Sequence, residues 1–248
     1  GLTPAGSLRF ELENRIFASG MSQAELDPGG QVVHGPLLRA LYGPERTWGV
    51  VDSALDPDGS VLYTLSPGGR IVSGWGASPR VLVEGLRDPC GIALDNQGIV
   101  FVCEAASGRV LAVLGGGEVL PVGTDLGEPV DLTWLPGLGV AVVDRSGGRL
   151  ILLGSRGQRV LRQDLREPVA VARLPDGDLA VVEAGADRVV RISPDGQDRG
   201  VLHTTAPGQL RPPEASFRVL GGLAVDPVAG VLYVSVPGRR GWVGVPLR

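Results

Sequence analysis

Lysine is absent from this chain, histidine occurs only as His34 and His203, and cysteine only as Cys90 and Cys103. Two histidines do not make a His-rich metal centre. In the repeat register set out below, both fall near outer strands, away from an axial ligand site, which also argues against a Ser-His-Asp triad. All 23 cationic side chains are arginine. A GC-rich coding sequence explains that more simply than selection for planar, bidentate donors.

Long apolar runs are also missing. No stretch reaches the roughly 18 consecutive apolar residues that a membrane-spanning helix needs, and Gly1 to Arg9 lack the charged-then-apolar order of a secretory leader. Direct membrane insertion is therefore not expected, and no compartment is assigned. The formal net charge is −4 with the two signs interspersed, so the basic stripe required by a phosphate backbone is absent and nucleic acid is not an expected partner.

What is present is apolar material in short pieces. The 248 residues are 43% hydrophobic and 20% charged, enough for a packed interior and compatible with one all-β domain of this length. A repeat organises them. Leu86-x-Asp88-Pro89, Leu126-x-Glu128-Pro129 and Leu165-x-Glu167-Pro168 share one pattern, at offsets of 40 and 39 residues. Arg70, Arg109, Arg149 and Arg188 follow at offsets of 39, 40 and 39, and Arg240 continues the series after a longer interval.

Glu104, Asp144 and Glu183 each stand five positions before an arginine of this series, with turn-like residues between. That spacing predicts β-hairpins in which acid and arginine face each other. Opposite charges at paired strand positions contribute about 0.2–1 kcal/mol, so these pairs read as register pins rather than catalytic groups. Leu65 and Ser235 occupy the acid's place in neighbouring repeats.

Turns are explicit in Asp56-Pro57-Asp58-Gly59 and Asp95-Asn96-Gln97-Gly98. Runs such as Val110 to Leu114 and Leu179 to Val182 are apolar at consecutive positions, which requires cover on both faces of a sheet. No segment sustains a 3.6-residue apolar period. Four short strands repeated about every 40 residues describe a propeller rather than a sandwich or a TIM barrel.

The expected fold is thus an all-β, six-bladed β-propeller with four-stranded antiparallel blades. Blades are placed at 8–47, 48–87, 88–126, 127–165, 166–205 and 217–248, with an insertion at 206–216. Leu8 to Glu13 alternates apolar and charged residues like an outer strand. It is expected to complete the last blade and close the ring. The alternative makes it the inner strand of the first blade. The Pro-rich insertion shares a face with the Asp88, Glu128 and Glu167 turns, and insertions in repeat proteins often mark a binding face.

The succession of a Pro, a Gly-Ile-Ala-Leu-Asp-like strand, a second strand ending in an acid, and an Arg opening the third resembles the NHL repeat across residues 86–202. That resemblance implies a six-bladed propeller. It also implies a family made mostly of protein- or RNA-binding modules, with enzymes among relatives such as the amidating lyase and the gluconolactonase/regucalcin-like and strictosidine-synthase-like proteins. Gly43-Pro44-Glu45 resembles the strictosidine-synthase-like pattern, while the Glu-Gly-Pro-x-Trp order of the lactonase-like group is missing. No catalytic residue carries over.

Asp88, Glu128, Asp131 and Glu167 lie where inner strands begin and are the candidate ligands of a calcium-type carboxylate site. The competing reading has these acids capping turns and pairing with nearby arginines. Asp131 stands out because Gly91 and Ala170 hold its place in adjacent repeats. Cys90 and Cys103 flank one hairpin turn symmetrically. A strained disulfide and two reduced, buried thiols are the two readings. Trp48, Trp134 and Trp242 read as blade packing, and Trp75 as an exposed anchor.

Two functions follow. The first is a non-catalytic protein-binding or scaffold propeller, an accessory subunit of a larger assembly, with no cofactor. It would dock another protein through Trp75, Pro207, Gln209, Arg211, Pro212 and Pro213. The second is a metal-dependent hydrolase or lyase with a carboxylate-lined axial site.

Overall fold

The computed structural model of the chain describes residues 5–10, 16–20, 24–26, 32–34, 49–55, 61–66, 68–73, 80–210, 222–236 and 241–247. Within them, apolar runs of three to seven residues form strands that the polar, Gly-bearing turns reverse, and every pairing is antiparallel. The first sheet comprises β1 (Ala5–Phe10), β2 (Ile16–Gly20), β3 (Ala24–Leu26) and β4 (Val32–His34). The second runs β5 (Gly49–Leu55), β6 (Val61–Ser66), β7 (Arg70–Ser73) and β8 (Arg80–Glu84). The third runs β9 (Pro89–Leu94), β10 (Val100–Glu104), β11 (Arg109–Val113) and β12 (Val119–Gly123). The fourth has β13 (Pro129–Leu135), β14 (Gly139–Asp144), β15 (Arg149–Gly154) and β16 (Gly157–Arg162), and the fifth β17 (Pro168–Arg173), β18 (Leu179–Glu183), β19 (Arg188–Ile192) and β20 (Asp198–Thr204). The last is β21 (Leu223–Asp226), β22 (Val231–Val236) and β23 (Gly241–Pro246).

This is an all-β propeller of four-stranded antiparallel blades, but with five such blades where six were expected, because the last sheet has three strands. The expected closure by the N-terminal strand is also corrected. β1 pairs with β2, and its neighbour in the last sheet is β21, the innermost strand, not the outer edge strand β23. Leu8 to Phe10 therefore belong to an inner strand, and residues 11–13 of the expected segment lie outside the described residues. First strands pack beside first strands around the ring, β5 against β9, β9 against β13, β13 against β17 and β17 against β21, so they line its axis.

The first three strands of the blades supply the core. β10, β18 and nearly all of β14 are buried along their whole length, as sheets covered on both faces require. Phe101 of the third sheet stacks on Trp134 of the fourth, with ring centroids 5.7 Å apart and planes 8° from parallel. The only helical turns among the described residues are two single 3-10 turns, and no helix is long and apolar enough to cross a membrane.

The repeated acid and arginine are directly paired across the second hairpin of the third, fourth and fifth blades, Glu104 with Arg109, Asp144 with Arg149 and Glu183 with Arg188. Arg109 Nη2 lies 2.6 Å from Glu104 Oε2 and Arg188 Nε 2.6 Å from Glu183 Oε2, while Arg149 makes the same contact with Asp144. The three acids are buried, at 1%, 0% and 0% exposure, so each is more than a surface register pin. Each also accepts backbone N–H groups from the link entering its own blade. Arg87 N–H donates to Glu104 at 2.7 Å, Glu128 N–H to Asp144 at 2.8 Å, and Arg166 N–H to Glu183 at 2.8 Å. One carboxylate thus joins the end of the second strand, the start of the third and the entry to the first.

Burial pushes the Glu104 carboxyl up, but the Ser107 hydroxyl, the Arg87 N–H and the Arg109 guanidinium outweigh it and hold the group below its ordinary value. Asp144 is likewise lowered against burial by the Glu128 N–H, Arg149 and the Gly127 and Gly147 N–H groups. A depressed folded-state pKa contributes stability that is complete above the ordinary carboxylate range, about pH 4, and is lost as pH falls through the folded value. Asp144→Asn should therefore cost about 3 kcal/mol near neutral pH and flatten the acid limb of the stability curve, read by urea unfolding from pH 7 down to about 3.

Candidate active site

Each first strand has a sheet partner on one edge only. Its other edge leaves N–H groups that need acceptors, since a buried unpaired donor costs about 1–3 kcal/mol. Aspartates from the preceding blade supply them at two places. Asp52 on β5 accepts the Ser53 N–H at 2.8 Å through Oδ1 and the Ile92 N–H of β9 at 2.9 Å through Oδ2. Asp131 on β13 repeats this two blades on, accepting the Leu132 N–H at 2.8 Å and the Val171 N–H of β17 at 2.9 Å.

Thr64 on β6 completes the arrangement around Asp52. Its hydroxyl accepts the Asp52 N–H at 3.0 Å and donates to the Cys90 carbonyl at 2.7 Å. The blade between the two aspartates carries Gly91 at their register position. A Cβ there would come within 2.5 Å of Asp131 Cα and 2.9 Å of its Oδ1. The glycine is what lets β9 lie this close to Asp131 on β13.

Cys90 and Cys103 lie in this middle blade. The disulfide that their spacing allowed is not formed, and both are free, buried thiols. The register slips between Val102 and Glu104 on β10, and Cys90 Sγ turns to the Pro129 carbonyl of the next blade at 3.2 Å. Burial, Cys90, and then the negative charges of Asp131 and Asp52 push the Cys103 thiol well up. The two carboxylates thus act on one thiol from the blades on either side.

The four acids expected to hold calcium are not brought together. Asp88 Oδ1 accepts the Ser66 hydroxyl at 2.7 Å, Glu128 is paired with Arg145 at 2.5 and 2.8 Å, and Asp131 is engaged as described. The backbone carbonyls of Asp88, Glu128 and Glu167 accept the Ala105, Arg145 and Ala184 N–H groups, so these link residues clamp the end of the second strand. Among the described residues no three His, Cys, Asp or Glu side chains group as a metal centre, and that donor set does not fit a divalent cation.

Of the expected docking residues, Pro207 is exposed and Gln209 half-buried, while Trp75, Arg211, Pro212 and Pro213 lie outside the described residues, as do Gly43-Pro44-Glu45, Trp48 and Arg240. The start of the insertion is held by Asp187, which takes the left-handed position (φ 48°) that Gly108 and Gly148 fill in other blades. Its carboxylate accepts the Gly208 and Leu210 N–H groups at 2.8 and 3.2 Å, and Leu210 is fully buried. His203 sits on β20 and His34 on β4, the fourth strands of their sheets.

The sequence reading missed Asp52, Thr64 and Asp187. Asp52 was within reach, because it stands 39 residues before Gly91, itself 40 before Asp131. Thr64 carries no comparable signal.

No family model matches the chain and no curated protein matches it. Similar solved structures exist. A streptogramin B lyase is 12% identical, with 100% of this chain and 94% of that one covered and a TM-score of 0.73. A protein provisionally designated a gluconolactonase is 14% identical, covering 100% and 91%, at a TM-score of 0.73. A nidogen/laminin complex is 21% identical, covering 80% and 80%, at 0.69. These likenesses establish the propeller fold.

With both thiols buried and Cys103 pushed up, the native protein should leave a thiol-specific chromogenic reagent essentially unreacted at pH 8, and unfolding in guanidinium without reductant should release both thiols. No thiol after unfolding would mean a disulfide.

Proposed function

We propose that the chain is an enzyme of the lyase or hydrolase kind, with its reaction centre at the axial end of the ring where the first strands begin. Asp131 and Asp52 are the carboxylates that move protons there. The observation that carries the reading is the recurrence of the same oriented carboxylate, at one register position, on first strands two blades apart. In each, one oxygen holds the following residue's N–H and the other the N–H of the next blade's first strand, which fixes the carboxylate's direction. A carboxylate so held is fit for general-base work, a contribution of about 10²–10⁴-fold.

The structural likeness to a streptogramin B lyase and to a designated gluconolactonase supports an enzyme over the scaffold role. The NHL kinship of residues 86–202 is retained as part of this proposal. Because the described side chains do not fit a metal, no step is routed through one. In a hydrolytic step the carboxylate takes a proton from water as the oxygen adds to a carbonyl. In an eliminative step it takes a proton from carbon as the neighbouring bond to oxygen breaks.

The test is turnover of gluconolactone and of a streptogramin B, followed by mass spectrometry, with parent, Asp131→Asn and Asp52→Asn proteins. Turnover by the parent that falls about 100-fold or more in Asp131→Asn, beyond what the fraction still folded at the assay temperature accounts for, is expected. Turnover unaffected by both substitutions, or neither probe being bound or converted, would overturn the assignment.

A further inference from the structure

At the opposite end of the fourth blade from the Asp131 carboxylate, the turn after β13 and the turn between β15 and β16 meet backbone to backbone. A Cβ on Gly154 would stand 2.5 Å from the Leu138 carbonyl oxygen, so the contact exists only because that side chain is missing. The two turns enclose a groove of about 610 Å³, within the roughly 300–1,000 Å³ of small-molecule sites.

Two arginines line it. Arg156 is in the two-residue turn closed by Gly154 and Gly157, and Arg159 lies on β16 directly across from Leu152. Seven arginines elsewhere are paired with acids: Arg70, Arg109, Arg145, Arg149, Arg162, Arg188 and Arg191. The side chains of Arg156 and Arg159 are exposed and make no hydrogen bond or ion pair among the described residues. The groove thus carries two cationic side chains and no acid in its lining. The Ser155 hydroxyl shares the groove, and Leu138, 46% exposed, and Leu152 give it an apolar side.

We infer that this groove is a binding site for a small organic oxyanion, a phosphate monoester or carboxylate with a short apolar body. The oxyanion lies in the guanidinium forks, whose planar donors match such groups bidentately. The apolar body lies on Leu138 and Leu152. The site is independent of the axial carboxylates, which stand at the other end of the blades.

The probes are octyl phosphate, octanoate, octanol and inorganic phosphate, titrated calorimetrically into the full chain. Saturable one-to-one binding of octyl phosphate or octanoate is expected, with inorganic phosphate weaker and octanol silent. Arg156→Ala and Arg159→Ala should each weaken it about tenfold. Arg199→Ala, which removes an exposed arginine of the fifth blade, should leave it unchanged. No saturable binding of either amphiphile, or equal binding by the Arg156→Ala/Arg159→Ala double variant, would overturn the site. Neither result bears on turnover at Asp131, so the two assignments fail separately.

Discussion

The three central blades hang on a buried carboxylate at the end of the second strand. A charged group at 0–1% exposure is destabilising unless its oxygens are filled, and Glu104, Asp144 and Glu183 fill theirs with an arginine from the third strand and N–H groups from the link into the first. Without the acid, the arginine would lose its partner and the link would lose its acceptors together. The link then sets where the first strand begins, and so which residue reaches the axis.

Asp131 and Asp52 follow from that placement. Once the links are fixed, the position three residues beyond Asp88, Glu128 or Glu167 falls at the free edge of a first strand. A carboxylate there crosses to the next blade, and the blade before it must leave room at its back. Gly91 does so for Asp131 by having no side chain, with Asp131 Cα only 2.5 Å from where a Cβ would stand. The alternation of Asp52, Gly91, Asp131 and Ala170 is therefore steric as well as chemical. Large or charged groups on adjacent blades would compete for one space.

Much of this was legible because a repeat exposes function by comparison within a single chain. The 39–40-residue period placed the hairpins, the Glu104, Asp144 and Glu183 positions and the odd residue Asp131. Burial of those acids was not legible. A strand-pair spacing reports who faces whom but not how much water remains, and the N–H donors come from residues 16 and 17 positions away. The same limit dispersed the supposed calcium ligands. Asp88, Glu128 and Glu167 share a sequence position, yet Asp88 is drawn to Ser66 and Glu128 to Arg145, and no three acids group together among the described residues. The place of the N-terminal strand was a third such limit. β1 has the alternation of an edge strand, but alternation does not distinguish the inner edge of one sheet from the outer edge of another.

Structural and chemical roles meet in the same atoms at the axis. Asp131 gives each of its oxygens to a backbone N–H, one on its own strand and one on the next blade. That use fixes the group, as a reacting carboxylate must be fixed. The latch between blades and the poised base are in this sense one requirement. What separates them is charge. An amide keeps the size but only one of the two acceptors, so its NH2 group would face a backbone N–H, and it cannot take a proton. Loss of the fastener shows in stability, whereas loss of the base shows in turnover by the protein that is still folded.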